Sequence, residues 1–253
     1  MGGALARAIC RVKETKVYIS DHNSKKALAF SKETGAEVSD NFTIASTCDL
    51  VFLAVKPNAF CEVVTPLRDA FSANGNSVVV SIAAGLTISY IESLIGSSHA
   101  VIRIMPNTPV AVGEGVITWC KNALVTKEMC EGFLNALKYA GELDEIDEKL
   151  IDAASAVAGC GPAFAYIFIE ALADGAVRAG LPRDKAIEYA ARTIRGAAAM
   201  VLETGKHPGL LKDEVCSPGG TTIEGVATLE DKGFRSAASG AVVAAFEKTK
   251  KLK

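Results

Sequence analysis

Several things are scarce in this 253-residue chain. Only three histidines occur, His22, His99 and His207, and each stands alone. Spacing of that kind offers no metal site. The seven cysteines are an odd number and form no C-x-x-C pair. A disulfide framework is therefore not expected, and reduced thiols of a cytoplasmic protein are. No basic excess exists, because the net charge is -2. Neither nucleic acid nor a membrane surface is an expected partner. Apolar stretches such as Ala153–Ala158 and Ala197–Leu202 are far short of the roughly 20 residues that a membrane span needs. No charged-then-apolar leader precedes the first helix, and no internal repeat or low-complexity linker interrupts the chain. What remains is a globular composition, 49% hydrophobic and 22% charged, able to fill a substantial core.

Residues 1–147 alternate short apolar, β-branched strands with helices. Lys16–Ser20, Leu50–Val55, Ser77–Ile82, Val101–Met105, Val116–Cys120 and Leu143–Ile146 read as strands. The intervening helices have visible ends: Asn23–Thr34 stops at Gly35, Asn58–Ala73 near Gly75, and Ile88–Ile95 follows a capping Thr87. Lys127–Ala140 opens at Thr126 and stops at Gly141. This alternation predicts an α/β domain, a parallel sheet covered by helices on both faces. From residue 148 to 253 the pattern changes to alanine-rich helices, Ala163–Ala179, Pro182–Thr204, Thr222–Asp231 and Phe234–Lys250. The first of these is apolar almost all round, and the last carries a run of small residues. Both features predict an all-α domain completed by a partner subunit.

The opening residues Met1-Gly2-Gly3-Ala4-Leu5-Ala6 resemble the last glycine of a G-x-G-x-x-G turn running into its helix. On that reading a first strand and two glycines, about ten residues, would precede residue 1, and their absence would leave a gap in the sheet. An ordinary frayed terminus is the alternative.

Three strands end in residues suited to a ligand. Asp49–Val55 ends in Lys56-Pro57, the next strand ends in Ser81-Ile82-Ala83-Ala84-Gly85, and a third in Met105-Pro106-Asn107-Thr108-Pro109. In an open parallel sheet the ligand crevice lies at these carboxyl ends. Lys56 would sit where a cofactor phosphate or ribose passes, and small residues let a flat ring approach the backbone. In the helical half, Ser217-Pro218-Gly219-Gly220-Thr221-Thr222 breaks one helix and starts another. It either presents free N–H groups to a small anion, or is a plain turn with Thr221 as N-cap; spacing alone does not separate the two.

Taken together with Gly159-Cys160-Gly161-Pro162-Ala163, these motifs stand in the order seen in pyrroline-5-carboxylate reductases, and the resemblance covers the whole chain. It implies a Rossmann-type domain over 1–147, a helical dimerisation and substrate domain over 148–253, and homodimers, in some members built into decamers. The implied reaction is reduction of 1-pyrroline-5-carboxylate to L-proline by NAD(P)H, the last step of proline biosynthesis. Carried over motif by motif, Gly2 touches the pyrophosphate, Asn41 the adenosine ribose, and Ala54, Val55, Lys56, Pro57 and Asn107 line the cofactor. Ala83 and Ala84 face the nicotinamide. Ser217, Gly219, Gly220, Thr221 and Thr222 hold the substrate, with Glu148 nearby. Cys160 stands where the family often has serine.

A cyclic iminium already carries its electrophilic charge, so hydride delivery needs chiefly positioning. Thr222 is the expected catalytic residue, hydrogen-bonding the ring nitrogen. A related 3-hydroxyacid or other imine enzyme is expected to carry a lysine in the stretch Gly161–Glu170, which has none. A non-catalytic relative keeping only the helical dimer is the remaining alternative. For the cofactor, Asp21 favours the free ribose hydroxyl of NADH, while Asn23, Ser24, Lys25 and Lys26 suit a 2′-phosphate. The balance, with the family, favours NADPH.

Overall fold

The computed structural model describes residues 1–251. By contacts the chain divides into two compact units, Met1–Cys160 with the chain from Ala245 onward, and Gly161–Ala244. In the first unit come α1 (Gly2–Cys10), β1 (Tyr18–Ile19), α2 (Ser24–Thr34), β2 (Glu37–Val38), α3 (Asn41–Thr47) and β3 (Leu50–Leu53). There follow α4 (Pro57–Val64), a 3-10 turn at Thr65–Leu67, α5 (Arg68–Ala73), β4 (Val78–Ser81) and α6 (Ile88–Ile95). Next are β5 (Ala100–Met105), a second 3-10 turn at Thr108–Val112, β6 (Gly115–Lys121), α7 (Lys127–Leu137), β7 (Gly141–Glu145) and α8 (Glu148–Ala158). The helices beyond are α9 (Gly161–Arg178), α10 (Arg183–Thr204), α11 (Pro208–Val215), α12 (Thr221–Asp231) and α13 (Phe234–Lys250).

Strands β3 to β7 form one sheet in sequence order. β3–β4, β4–β5 and β6–β7 are parallel, but β5–β6 is antiparallel. The expectation of a parallel sheet is corrected at that step. The link 106–114 holds only a 3-10 turn, and a parallel crossover needs roughly 10–12 residues or more. β1 and β2 pair in parallel with each other alone, so the described strands make two sheets. Alternation along the strands divides the core. Val79 and Val101 join Phe60, Val64, Phe71, Ile91 and Ile151 on one face. Val78, Val80, Ile102 and Ile104 join Leu5, Ile9, Trp119, Phe133 and Leu137 on the other. Each face is thus sealed by helices, α3 to α6 and α8 on one side, α1 and α7 on the other.

Local chemistry sets the ends. Asn23, Asp40, Thr87 and Thr126 each accept a hydrogen bond from a backbone N–H in the first turn of the helix that follows. The single helix expected over Asn58–Ala73 is instead α4, a 3-10 turn and α5. Pro66 lies at the break, where it lacks an N–H and restrains the residue before it.

The second unit has little interior. Its buried cluster is Ala173, Ala186 and Ala190, where α9 and α10 pack, and Phe168 meets Phe234 with ring centroids 5.2 Å apart. Helices α11, α12 and α13 bury no residue. The apolar length of the chain exceeds the expectation from short runs. Glu148–Arg178, which takes in α8 and α9, reaches mean hydropathy 1.6 over an 18-residue window, long and apolar enough to cross a membrane by composition alone. Yet α8 packs into the sheet's core through Ile151, and its Asp152 and Ala156 are buried as well. By contacts it belongs with the first unit, although the change of sequence pattern precedes it.

Candidate functional site

The register Leu53↔Ser81↔Arg103 brings the carboxyl ends of β3, β4 and β5 to one edge. After β3, Ala54 and Lys56 are exposed and Val55 and Pro57 half-buried. Lys56 is the extended N-cap of α4, and Pro57 takes the first-turn position where a missing N–H is harmless. The start of α1 abuts this turn. A Cβ on Gly2 would lie 2.6 Å from the Cβ of Ala54, so only glycine permits the approach. A helix N-terminus with bare glycines against a strand end is suited to a pyrophosphate. The structure therefore brings Gly2, Ala54, Val55, Lys56 and Pro57 together.

After β4 the chain passes through Ala83, Ala84 and Gly85, the last at φ 78. Ala83 is buried in the core and its N–H donates to Ser81 Oγ at 3.3 Å, whereas Ala84 keeps accessible surface. Of the pair, Ala84 is the one able to touch a ring. Asn41 is the exposed first residue of α3, beside Asp40. Asp40 accepts from the Thr43 backbone at 2.8 Å and the Thr43 hydroxyl at 2.7 Å, and these bonds hold its carboxyl below the ordinary range. Asp21 and Asn23 are engaged locally: Asp21 Oδ1 accepts from Asn23 N at 2.8 Å, and Asn23 caps α2.

Asn107 has a different engagement. It is buried, its Nδ2 donates to Ala158 O at 3.0 Å, and its Oδ1 accepts from Val116 N at 2.9 Å. It ties the end of α8 to the start of β6. Glu148 is similarly occupied. Its Oε1 accepts from the Ile88 N–H, the first of α6, at 2.7 Å, and lies 3.3 Å from Arg103 Nη1. Arg103 is 1% exposed on β5, and its Nη2 donates to Asp152 Oδ1 at 2.7 Å. Sequence reading missed Arg103 and Asp152. The signal was an arginine inside Ala-Val-Ile-Arg-Ile-Met, a strand buried on both faces, which demands a buried counter-charge.

An open cleft of about 530 Å³ is lined by Ile88, Glu92, Cys120, Lys121, Glu145 and Glu148, among others. It opens where β6 and β7 end; β6 runs antiparallel to β5, so Cys120 and Lys121 lie beside Arg103 and Ile102 in the middle of β5. Burial, aided by the charge of Glu148, pushes the Cys120 thiol up to about 11, so it is no nucleophile there.

Within the helical unit, Ser217 to Gly220 link α11 to α12. Gly219 has φ 68, and a Cβ on Gly220 would meet Ser217 Oγ at 2.4 Å. Gly220, not Thr221, is the N-cap of α12, and no side chain caps that terminus. Thr221 and Thr222 are the first two helical residues, exposed along with Ser217 and Gly219. The plain threonine-capped turn is thus not what forms. The loop offers uncapped N–H groups and hydroxyls together, an arrangement suited to a carboxylate.

A family model described as pyrroline-5-carboxylate reductase dimerisation matches residues 148–252, and one described as NADP oxidoreductase, coenzyme F420-dependent, matches residues 1–85. Pyrroline-5-carboxylate reductase from Escherichia coli (strain K12) is 41% identical over 253 residues, covering 100% of this chain and 93% of that protein. The chain belongs to the pyrroline-5-carboxylate reductase family. Among solved members of the family, the Plasmodium falciparum enzyme with NADP bound superposes with TM-score 0.87 at 34% identity, over 100% of this chain and 94% of that one. The Coxiella burnetii structure gives 0.88 at 30% identity with the same coverage. The family fold is accordingly a mostly parallel Rossmann-like sheet followed by helices, as built above.

Proposed function

We propose that this chain reduces 1-pyrroline-5-carboxylate to L-proline, the closing step of proline biosynthesis, with NADPH as reductant. The observation that carries the reading is the full-length identity to a named reductase, joined to a glycine-tight helix N-terminus at the β3 edge. NADPH supplies the hydride when bound. The protein's part is to bind and orient. Gly2 and the Ala54–Pro57 turn would hold the pyrophosphate and ribose, Asn41 the adenosine side, and Ala84 the nicotinamide, with buried Ala83 as its support. Lys25 and Lys26 supply positive charge for a 2′-phosphate, and Asp21 is already bonded to Asn23 N. Both features support NADPH over NADH.

Ser217, Gly219, Gly220 and Thr221 would take the substrate carboxylate through backbone N–H groups and hydroxyls. The Thr222 hydroxyl would bond the ring nitrogen, holding the iminium without acting as a strong acid. Asn107 acts as a brace between α8 and β6. The exposed apolar residues of the second unit, including Tyr166, Ile167 and Leu202, support a homodimer, and decamers would require a further contact of that unit. Seven free thiols suit the reducing cytoplasm, where we place the activity.

The test is product analysis with kcat/KM for both cofactors. L-proline formed faster with NADPH than with NADH is the expected result. Oxidation of neither cofactor by correctly assembled protein rejects the assignment.

A further inference from the structure

We infer that Glu148 is a positioning residue for the nicotinamide loop, held in place by the buried Arg103, rather than a ligand of the substrate. This rests on the proposed reductase reading, because that reading puts Ala84, on the loop from Ile82 to Thr87, against the cofactor ring. Four observations in the sheet unit carry it. The loop leaves β4, which lies between β3 and β5 in the sheet, at the carboxyl edge where ligands of such sheets bind. Inside the loop the retaining bonds are weak: Leu86 N to Ala83 O is 3.5 Å and Ala83 N to Ser81 Oγ is 3.3 Å. The far end, by contrast, is fixed by Glu148 Oε1 on the Ile88 N–H at 2.7 Å, a carboxylate on the positive end of α6. Finally, Arg103 at 1% exposure holds Glu148 at 3.3 Å and Asp152 at 2.7 Å, so the carboxylate is oriented from inside the core.

Thr87 already caps α6 through Tyr90 N. Glu148 therefore adds what the local cap does not, a tether 60 residues away in sequence that sets where the loop ends. In the Glu148→Ala protein α6 keeps its own cap while the loop loses its fixed end. A preorganised loop binds its ligand without an ordering penalty, so the loss should appear in cofactor affinity.

The experiment is NADPH binding by fluorescence, without substrate, on wild type, Glu148→Ala and Glu148→Gln, followed by steady-state kinetics. One lost charge-assisted bond corresponds to roughly a tenfold weakening. We expect Glu148→Ala to bind NADPH about that much more weakly, with KM for the imine at saturating NADPH little changed. Glu148→Gln keeps an oxygen for the Ile88 N–H and should recover most of the affinity. Unchanged NADPH binding with a raised imine KM overturns the inference and returns Glu148 to the substrate. Equal weakening in both variants also overturns it, since charge and not the tether would then be at work. The binding step needs no turnover, so it is read separately from failure of the reductase assignment itself.

Discussion

The two units treat similar apolar content in opposite ways. In the sheet unit, Phe60, Phe71, Phe133, Ile91, Ile104 and Leu137 are fully buried between helices and a twisted sheet. In the helical unit, Tyr166, Ile167, Tyr189 and Leu202 keep half or more of their surface exposed, and three alanines form the interior. The difference teaches where each unit's stability resides. The first carries its own core, whereas the second has apolar faces whose burial must come from another surface.

A charge on the exposed helical face should break that comparison most severely. Ile167→Asp is nearly harmless if the face meets only water, but in a subunit interface it leaves an unpaired buried charge, several kcal/mol or more. Sedimentation should show a dimer for the wild type and a monomer for Ile167→Asp. An unaltered dimer would place the interface elsewhere. In the sheet unit the corresponding weak point is Arg103. Arg103→Met removes the buried cation that Asp152 and Glu148 share, a loss of about 3–5 kcal/mol in urea unfolding. A change below ~1 kcal/mol would mean the network adds little.

Smaller effects test the chemistry. Thr222→Ala removes one positioned hydrogen bond and should lower kcat roughly tenfold while leaving NADPH binding alone. Unchanged kinetics would sink the role given to Thr222. Gly220→Ala forces a Cβ against Ser217 Oγ and should raise KM for the imine without loss of fold. The smallest effect concerns His99, buried beside Phe71. Burial first, and then the charge of Arg68, lowers its pKa below the ordinary 6.5. The folded state thus favours neutral His99. Its contribution is present above the unfolded value and is lost as pH falls through the lower folded one. His99→Phe should flatten the decline of Tm in that acid window relative to wild type.

Much of this was legible in the sequence because local chemistry agreed with the fold. Thr87 and Thr126 announced their helices, and the apolar runs of β3 to β6 could only be buried strands. Pro66 and the short link after β5 were legible too, but their consequences were not drawn: a broken helix and an antiparallel strand. Other elements gave weak signals. β2 is two exposed residues, and α3 and α11 are short and held by caps rather than by an apolar stripe. α8 hid for a different reason. It sits where the sequence pattern changes, and its acid Asp152 pairs with an arginine 49 residues away, a link no local pattern carries. That position 2 has no room for a side chain became visible only once Ala54 stood opposite it.

The most direct test of the central claim is transfer of label from NADPH deuterated at the reactive C4 position to 1-pyrroline-5-carboxylate, with mass spectrometry of the product. L-proline carrying one deuterium at C5 is the expected product. Proline without label, or no proline from folded and assembled protein, would contradict the claim.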